Sequence, residues 1–186
     1  NWDFYCLGAH GKINLSTALA TSCNIFFHIA GYRTGIDKID KWAKLFGLGE
    51  YTGIDIPGEV KGTRANRETK RAIFNDDWRP ADTAQASIGQ FNQQYTPLQL
   101  ANYIATIANG GKRYKPHLIK KVVSYDGTVV RETQPEYELV PVKPETISAV
   151  QAGMVAVANS VDGTAVEVFK DLPFKVAGKT GTAETG

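Results

Sequence analysis

The sequence is poor in sulfur and imidazole, and it has no long apolar run. Two cysteines, one methionine and three histidines occur in 186 residues. Cys6 and Cys23 have no partner at C-x-x-C spacing, which excludes a zinc or redox motif of that kind. They read as two small, buried or half-buried thiols; an oxidising compartment would allow a disulfide between them, which nothing in the sequence requires. No stretch approaches the ~18 to 20 apolar residues that span a bilayer, and there is no signal-peptide pattern. A net charge of +2 leaves no polybasic footprint, so nucleic acid is not an expected partner. His10, His28 and His117 stand in neither G-x-S-x-G nor H-E-x-x-H context, and they read as structural. No glycine run has the phosphate-cradling or dinucleotide pattern, and no cofactor or metal is expected. Asp76-Asp77, beside Trp78, reads as a solvated loop. The chain opens on Asn1 and an aromatic cluster, so the expectation is a segment of a longer protein.

What is present is an ordinary globular composition, 42% hydrophobic and 22% charged. Apolar periodicity predicts short helices over 13–20 and 24–30, the second ended by Gly31, and a third over 37–46. Residues 47–62 read as a loop, and 64–80 as a polar, irregular excursion. The strongest helix follows Thr96 as cap and Pro97 as first residue, with Leu100, Ala101, Ile104, Ile107 and Ala108 as its buried stripe. A hairpin turns at Asp126-Gly127. Pro144 opens another helix, with Ile147, Val150, Met154, Val157 and Ala158 on one side. Residues 174–183 read as a closing strand. The fold class is α+β, with residues 1–112 mainly helical and 113–186 holding the hairpin, a helix and the last strand.

That last strand carries "VAGKTGTAE". Alternation sets Phe174, Val176, Gly178, Thr180 and Thr182 on one face, with Lys179 pointing elsewhere. Two hydroxyls, an ammonium and a strand edge suit an extended peptide ending in a carboxylate. A lone K-T-G occurs by chance in roughly 4% of chains this long, so a second element is needed. "ATSCN" offers one. In an extended loop between two helices, Ser22 and Asn24 would point the same way. They would present a hydroxyl for proton transfer and an amide for a substrate carbonyl. On its own this pair reads as ordinary helix caps.

S-x-x-K, S-x-N and K-T-G together form the signature set of penicillin-binding proteins and serine β-lactamases. The stretches "GAHGKINLSTALATSCNIFF", "FGLGEYTGIDIPGEVKG", "ASIGQFNQQYTPLQLANYIATIANGG", "KPHLI" and "VAGKTGTAE" fall in one family's order. The chain resembles the transpeptidase domain of a class B penicillin-binding protein. "TGIDIPGE" and "TPLQLANYIATIANGG" separate it from β-lactamases, and "FGLGEYTGIDIPGEVKG" is most similar to the cell-elongation subgroup, penicillin-binding protein 2-like.

The resemblance implies a transpeptidase-like fold, a helical subdomain plus an antiparallel sheet, incomplete in this chain. It implies that Ser22 relays a proton and that Asn24 binds the substrate amide. Lys179 would hydrogen-bond Ser22, Thr180 and Thr182 would hold the substrate carboxylate alongside Gly181, and the Thr182 N–H would serve in an oxyanion hole. The implied partners are the D-alanyl-D-alanine stem peptide, β-lactam antibiotics and proteins of a cell-wall synthesis complex. The implied location is the extracytoplasmic face of a bacterial membrane, with the anchor outside this chain. None of Ser16, Ser22, Ser87, Ser124, Ser148 or Ser160 has Lys three residues on, so the S-x-x-K nucleophile is expected upstream of Asn1. The chain alone is then expected to be inactive and to pack poorly without the sheet strands that follow K-T-G. Three alternatives stay open: a β-lactam sensor domain, a serine β-lactamase, and a catalytically dead scaffold in a cell-wall complex. One departure stands out. Where the family usually has Gly after "SIGQ", this chain has Phe91, which predicts a displaced or differently packed loop.

Overall fold

The computed structural model describes residues 5–6 and 8–182. The fold is α+β: eight helices and four short strands among the described residues, in two compact units. The first unit takes Asn1–Asp40, Ala65–Gln93 and Val142–Gly186, and the second takes Lys41–Arg64 and Gln94–Pro141. No described helix is long and apolar enough to cross a membrane.

In the first unit, α1 (Leu15–Ala20) starts at Asn14, whose side chain accepts the Thr17 N–H, as an N-cap should. It lies against α7 (Pro144–Asn159), and α2 (Asn24–Thr34) lies against α5 (Pro80–Ala86). Ala18, Ala20, Met154, Val157 and Ala158 are buried. Helix α1 comes close because α7 offers Gly153 there: a Cβ at Gly153 would lie 2.3 Å from Leu19 Cδ1. The same device corrects one expectation. Gly31 does not end α2, which runs on to Thr34; it is buried inside the helix, where a Cβ would lie 2.2 Å from Ser87 Cβ. A second core gathers Ile36, Ala65 and Ala86, with Ile39, Trp78 and Phe91 packed on it. Ile36 and Ile39 belong to α3 (Ile36–Leu45). Short α8 (Val166–Phe169) follows the break at Asp162-Gly163.

Residues 64–80 are not the irregular excursion expected. They contain α4 (Arg67–Phe74), opened by a reciprocal capping box between Asn66 and Thr69. Its polar sequence hides an ionic anchor. Lys70 is buried and donates to Asp82 Oδ2 at 2.6 Å and Asp76 Oδ2 at 3.0 Å. Asp76 also pairs with Arg79, so it is not merely solvated.

In the second unit, α6 (Pro97–Ala108) has the expected Thr96 cap and Pro97 start. Its buried stripe is not the expected one. Of the five residues named, only Ile107 is buried; Leu100 and Ile104 are 45% and 40% exposed. The inward face carries Gln99, Thr106 and Ile107 instead. The physical reason lies in the 47–62 loop. Gln99 Nε2 donates to the carbonyls of Glu50 (2.7 Å) and Lys61 (2.8 Å), while its Oε1 accepts from Gly49 N–H (3.3 Å). Loop carbonyls taken from water need donors, and that need outweighs aliphatic burial. Strands β1 (Lys112–Tyr114) and β4 (Tyr137–Leu139) pair antiparallel. Strands β2 (Lys121–Val123) and β3 (Val129–Glu132) form the predicted hairpin. Gly127 takes φ 86°, and Asp126 Oδ1 accepts the Thr128 N–H.

Candidate active site

The segment carrying K-T-G is not a strand over 174–182; Ala183 lies outside the described residues. A strand exists by its ladder to a neighbour, and here the backbone is held from α7 instead. Gly178 N–H donates to Met154 O (3.1 Å), and Asn159 Nδ2 donates to Val176 O (2.7 Å). A Cβ built on Gly178 or Gly181 would have open space around it, so no described neighbour demands either glycine.

The α1–α2 junction is tighter than the extended loop expected. Thr21 is the C-cap; Ser22 N–H donates to Leu19 O (3.2 Å) and Cys23 N–H to Ala18 O (2.9 Å). This is a Schellman closure, in which the residue after the cap turns left-handed. Glycine normally fills that place, but here Ser22 does, at φ 52°. The sharp turn satisfies the last carbonyls of α1 and lets α2 begin at Asn24 after Cys23 as N-cap. Asn24 Nδ2 donates to Tyr5 O at 3.3 Å.

Ser22 and Lys179, 157 positions apart in sequence, meet: Lys179 Nζ donates to Ser22 Oγ at 2.8 Å. The same ammonium donates to Thr180 O (3.0 Å) and Thr180 Oγ1 (3.1 Å), which uses all three of its N–H groups. Lys179 therefore does not point away from the threonines, as alternation implied; its long stem curls back onto the hydroxyl side. Partial desolvation of the ammonium lowers its pKa from the ordinary lysine range. Thr164, which the motifs did not single out, joins the two walls. Its N–H donates to Ala20 O at 3.0 Å, and its Oγ1 lies 3.2 Å from Thr180 Oγ1. Gln90 is a second residue missed: its Nε2 donates to Thr182 O at 3.0 Å.

Phe91 holds φ 71°, in the region that favours glycine, and its ring packs 5.2 Å from Trp78 and 5.9 Å from Phe74. Lys70 Nζ lies 6.0 Å from the ring centre.

C-x-x-C spacing does not register one grouping: Cys6, His10 and Cys23 bring one donor atom each to within 4.8 Å of one another. Two sulfurs and one imidazole nitrogen are a donor set that suits zinc, short of the four that close a structural site. Burial works against ionising Cys6, but backbone N–H groups of Gly8, Ile25 and Asn24 prevail and bring its pKa down to about 7. Burial pushes the Cys23 thiol up, and Cys6 adds to the shift. His28 is structural, with Nδ1 2.8 Å from Ala84 O.

Known proteins share this arrangement of segments. A sequence model described as the penicillin binding protein transpeptidase domain matches residues 6–186. The peptidoglycan D,D-transpeptidase MrdA of Escherichia coli K12 is 35% identical over 176 residues, covering 94% of this chain and 28% of that protein. MrdA of Haemophilus influenzae is 34% identical over 178 residues, covering 94% and 27%. Among solved structures, penicillin-binding protein PBP2 of Helicobacter pylori superposes with a TM-score of 0.83 at 31% identity, covering 97% of this chain and 33% of that one. PBP2 of H. pylori in complex with MreC gives 0.80 at 33% identity, covering 95% and 31%. The chain thus spans about a third or less of the length of each of these four relatives. With the match extending over nearly all of its length, the chain belongs to the penicillin-binding protein transpeptidase domain family.

Proposed function

We propose that this chain is part of the transpeptidase domain of a peptidoglycan D,D-transpeptidase of the PBP2 type, which joins stem peptides by serine acyl transfer and is acylated by β-lactams. The observation that carries the reading is the 2.8 Å contact from Lys179 Nζ to Ser22 Oγ. An ammonium donating to a serine hydroxyl leaves the hydroxyl proton free to point at a third group. Ser22 is then suited to pass a proton to the leaving amine as the acyl bond forms, and to take one back as the acyl-enzyme is resolved. Lys179 and Thr180 offer a positive, hydroxyl-lined end for the substrate carboxylate, with Gly181 leaving room for its backbone and Thr182 adding a second hydroxyl. Asn24 would hold the substrate amide by exchanging its present partner, Tyr5 O, for the peptide. The Thr182 N–H would donate to the oxyanion; one such donor is generally worth about 3 to 4 kcal/mol of transition-state stabilisation.

The attacking serine of an S-x-x-K motif is not among the six serines of this chain, so the reaction needs residues outside it. We place the full-length protein at the extracytoplasmic face of the membrane, working within a cell-wall synthesis complex. A relative solved together with MreC supports that partner class. The test is covalent labelling with a fluorescent penicillin. The 186-residue chain stays unlabelled and the full-length protein is labelled. A full-length protein that takes no label ends the proposal.

A further inference from the structure

The first unit contains an arm that touches the K-T-G segment and that the mechanism above does not use. It is Gln90, and everything around it is fixed. Its own N–H donates to Gln85 O at 3.1 Å, and its carbonyl accepts from Gln93 Nε2 at 3.1 Å. Gln93 is in turn tied to Ala86 O at 2.8 Å, the last residue of α5. The residues on either side are both left-handed, Gly89 at φ 83° and Phe91 at φ 71°. A phenylalanine does not adopt that backbone without support. The support is visible: Trp78 and Phe74 flank its ring, the ring packs on the buried Ile36, Ala65 and Ala86, and the ammonium of Lys70 lies near its face. Lys70 is itself held by Asp82 and Asp76. The strain at Phe91 is thus compensated by an anchor, and the anchored turn projects the Gln90 amide onto the Thr182 carbonyl at 3.0 Å.

We infer that Gln90 is a positioning residue for substrate binding: its side-chain amide fixes the peptide plane that follows Thr182, and with it the orientation of the K-T-G edge. The inference rests on the transpeptidase reading. A carbonyl only accepts, so the Gln90 side chain must offer its nitrogen, and a side chain of equal length without that donor cannot replace it. The Thr182 carbonyl and N–H lie in peptide planes on either side of one Cα. Pinning the carbonyl restrains the backbone torsions of Thr182, and so narrows the range open to the N–H assigned above to the oxyanion. Phe91 acts through Gln90 and touches no substrate.

The experiment compares Gln90→Glu, Gln90→Ala and Phe91→Gly with the unaltered full-length protein. Acylation by fluorescent penicillin, melting temperature and hydrogen exchange at Lys179–Thr182 are each measured. Gln90→Glu keeps the length and loses the donor. It is expected to slow acylation about tenfold, the effect of one lost hydrogen bond, and to speed exchange at 179–182 by a similar factor. Its melting temperature stays within about 2 °C. Gln90→Ala matches it. Phe91→Gly keeps the left-handed turn, loses the anchor and falls between. Native acylation and exchange rates in Gln90→Glu overturn the inference, and so does a loss of acylation that only follows a loss of melting temperature. If the unaltered protein takes no label, the functional reading fails. Exchange at 179–182 then still decides whether Gln90 holds the segment.

Discussion

Ser22 carries two burdens in one residue, and they can be separated. At φ 52° it occupies a left-handed position that costs a residue with a Cβ about 1 to 2 kcal/mol. Its hydroxyl accepts from Lys179 at 2.8 Å on an exposed surface, which puts the bond near 1 kcal/mol. Ser22→Ala keeps the backbone penalty and loses the hydroxyl, so it should be less stable than the native protein by about 1 kcal/mol. Ser22→Gly loses the same hydroxyl but removes the penalty, less the roughly 0.4 to 1 kcal/mol by which glycine loosens the unfolded chain. The two substitutions should therefore differ by about 0.8 kcal/mol in favour of glycine, and by up to about 1.6. For a domain of this size each kcal/mol is about 2 to 4 °C in melting temperature, readable by differential scanning fluorimetry. On acylation they should not differ: both remove the proton carrier, so both should label with fluorescent penicillin far more slowly than the native full-length protein. A glycine variant no more stable than the alanine variant would refute the strain argument. A glycine variant that acylates at the native rate would refute the role of the hydroxyl.

Two further outcomes are expected. Desolvation lowers the Lys179 pKa from 10.5, so its charge is present below the lowered value and lost as pH rises through it. Acylation by a carboxylate-bearing β-lactam should then fall on the alkaline side with a midpoint under 10.5, and a midpoint at or above 10.5 would contradict the partial desolvation of that ammonium. The same depression means the unfolded chain binds the proton more readily, so this group contributes stability that is lost as pH falls through the folded pKa. Gly31→Ala should lower the melting temperature despite alanine's better helix propensity. The added Cβ would lie 2.2 Å from Ser87 Cβ, and forcing α2 off α5 costs about 1 to 3 kcal/mol. An unchanged or higher melting temperature would show that the two helices part without cost.

The legible parts of the fold were those with local causes. Thr96-Pro97 caps and starts α6, and Asp126-Gly127 turns the hairpin, because each rests on the backbone preferences of a few adjacent residues. Ile147, Met154, Val157 and Ala158 face one way on α7, and all are buried. Elsewhere the cause lay far off in the chain. Helix α4 was hidden because its anchor is a lysine whose partners, Asp76 and Asp82, arrive from the next segment; the Asn66-x-x-Thr69 cap was the one local signal. The inward face of α6 is chosen by the carbonyls of Glu50 and Lys61, which no periodicity within α6 records. The closing segment alternates like a strand, but alternation does not supply a neighbour to pair with. For the site, the expectation that Lys179 meets Ser22 came from the family resemblance; alternation along the segment alone pointed Lys179 elsewhere. Thr164 and the Gln90 arm were not legible, since each is defined by hydrogen bonds between remote segments; the left-handed turn is local, but a serine in the place glycine normally takes does not announce it.

The packing of α1 against α7 has a consequence for biosynthesis. As the ribosome delivers the chain, α1 emerges before its partner and stays without it until Pro144–Asn159 has been made, while the whole second unit passes in between. Such delayed closure lengthens the interval in which apolar side chains are open to stray association. Nascent chains stalled before Pro144 should therefore depend on chaperones to stay dispersed, and those released after Asn159 should not.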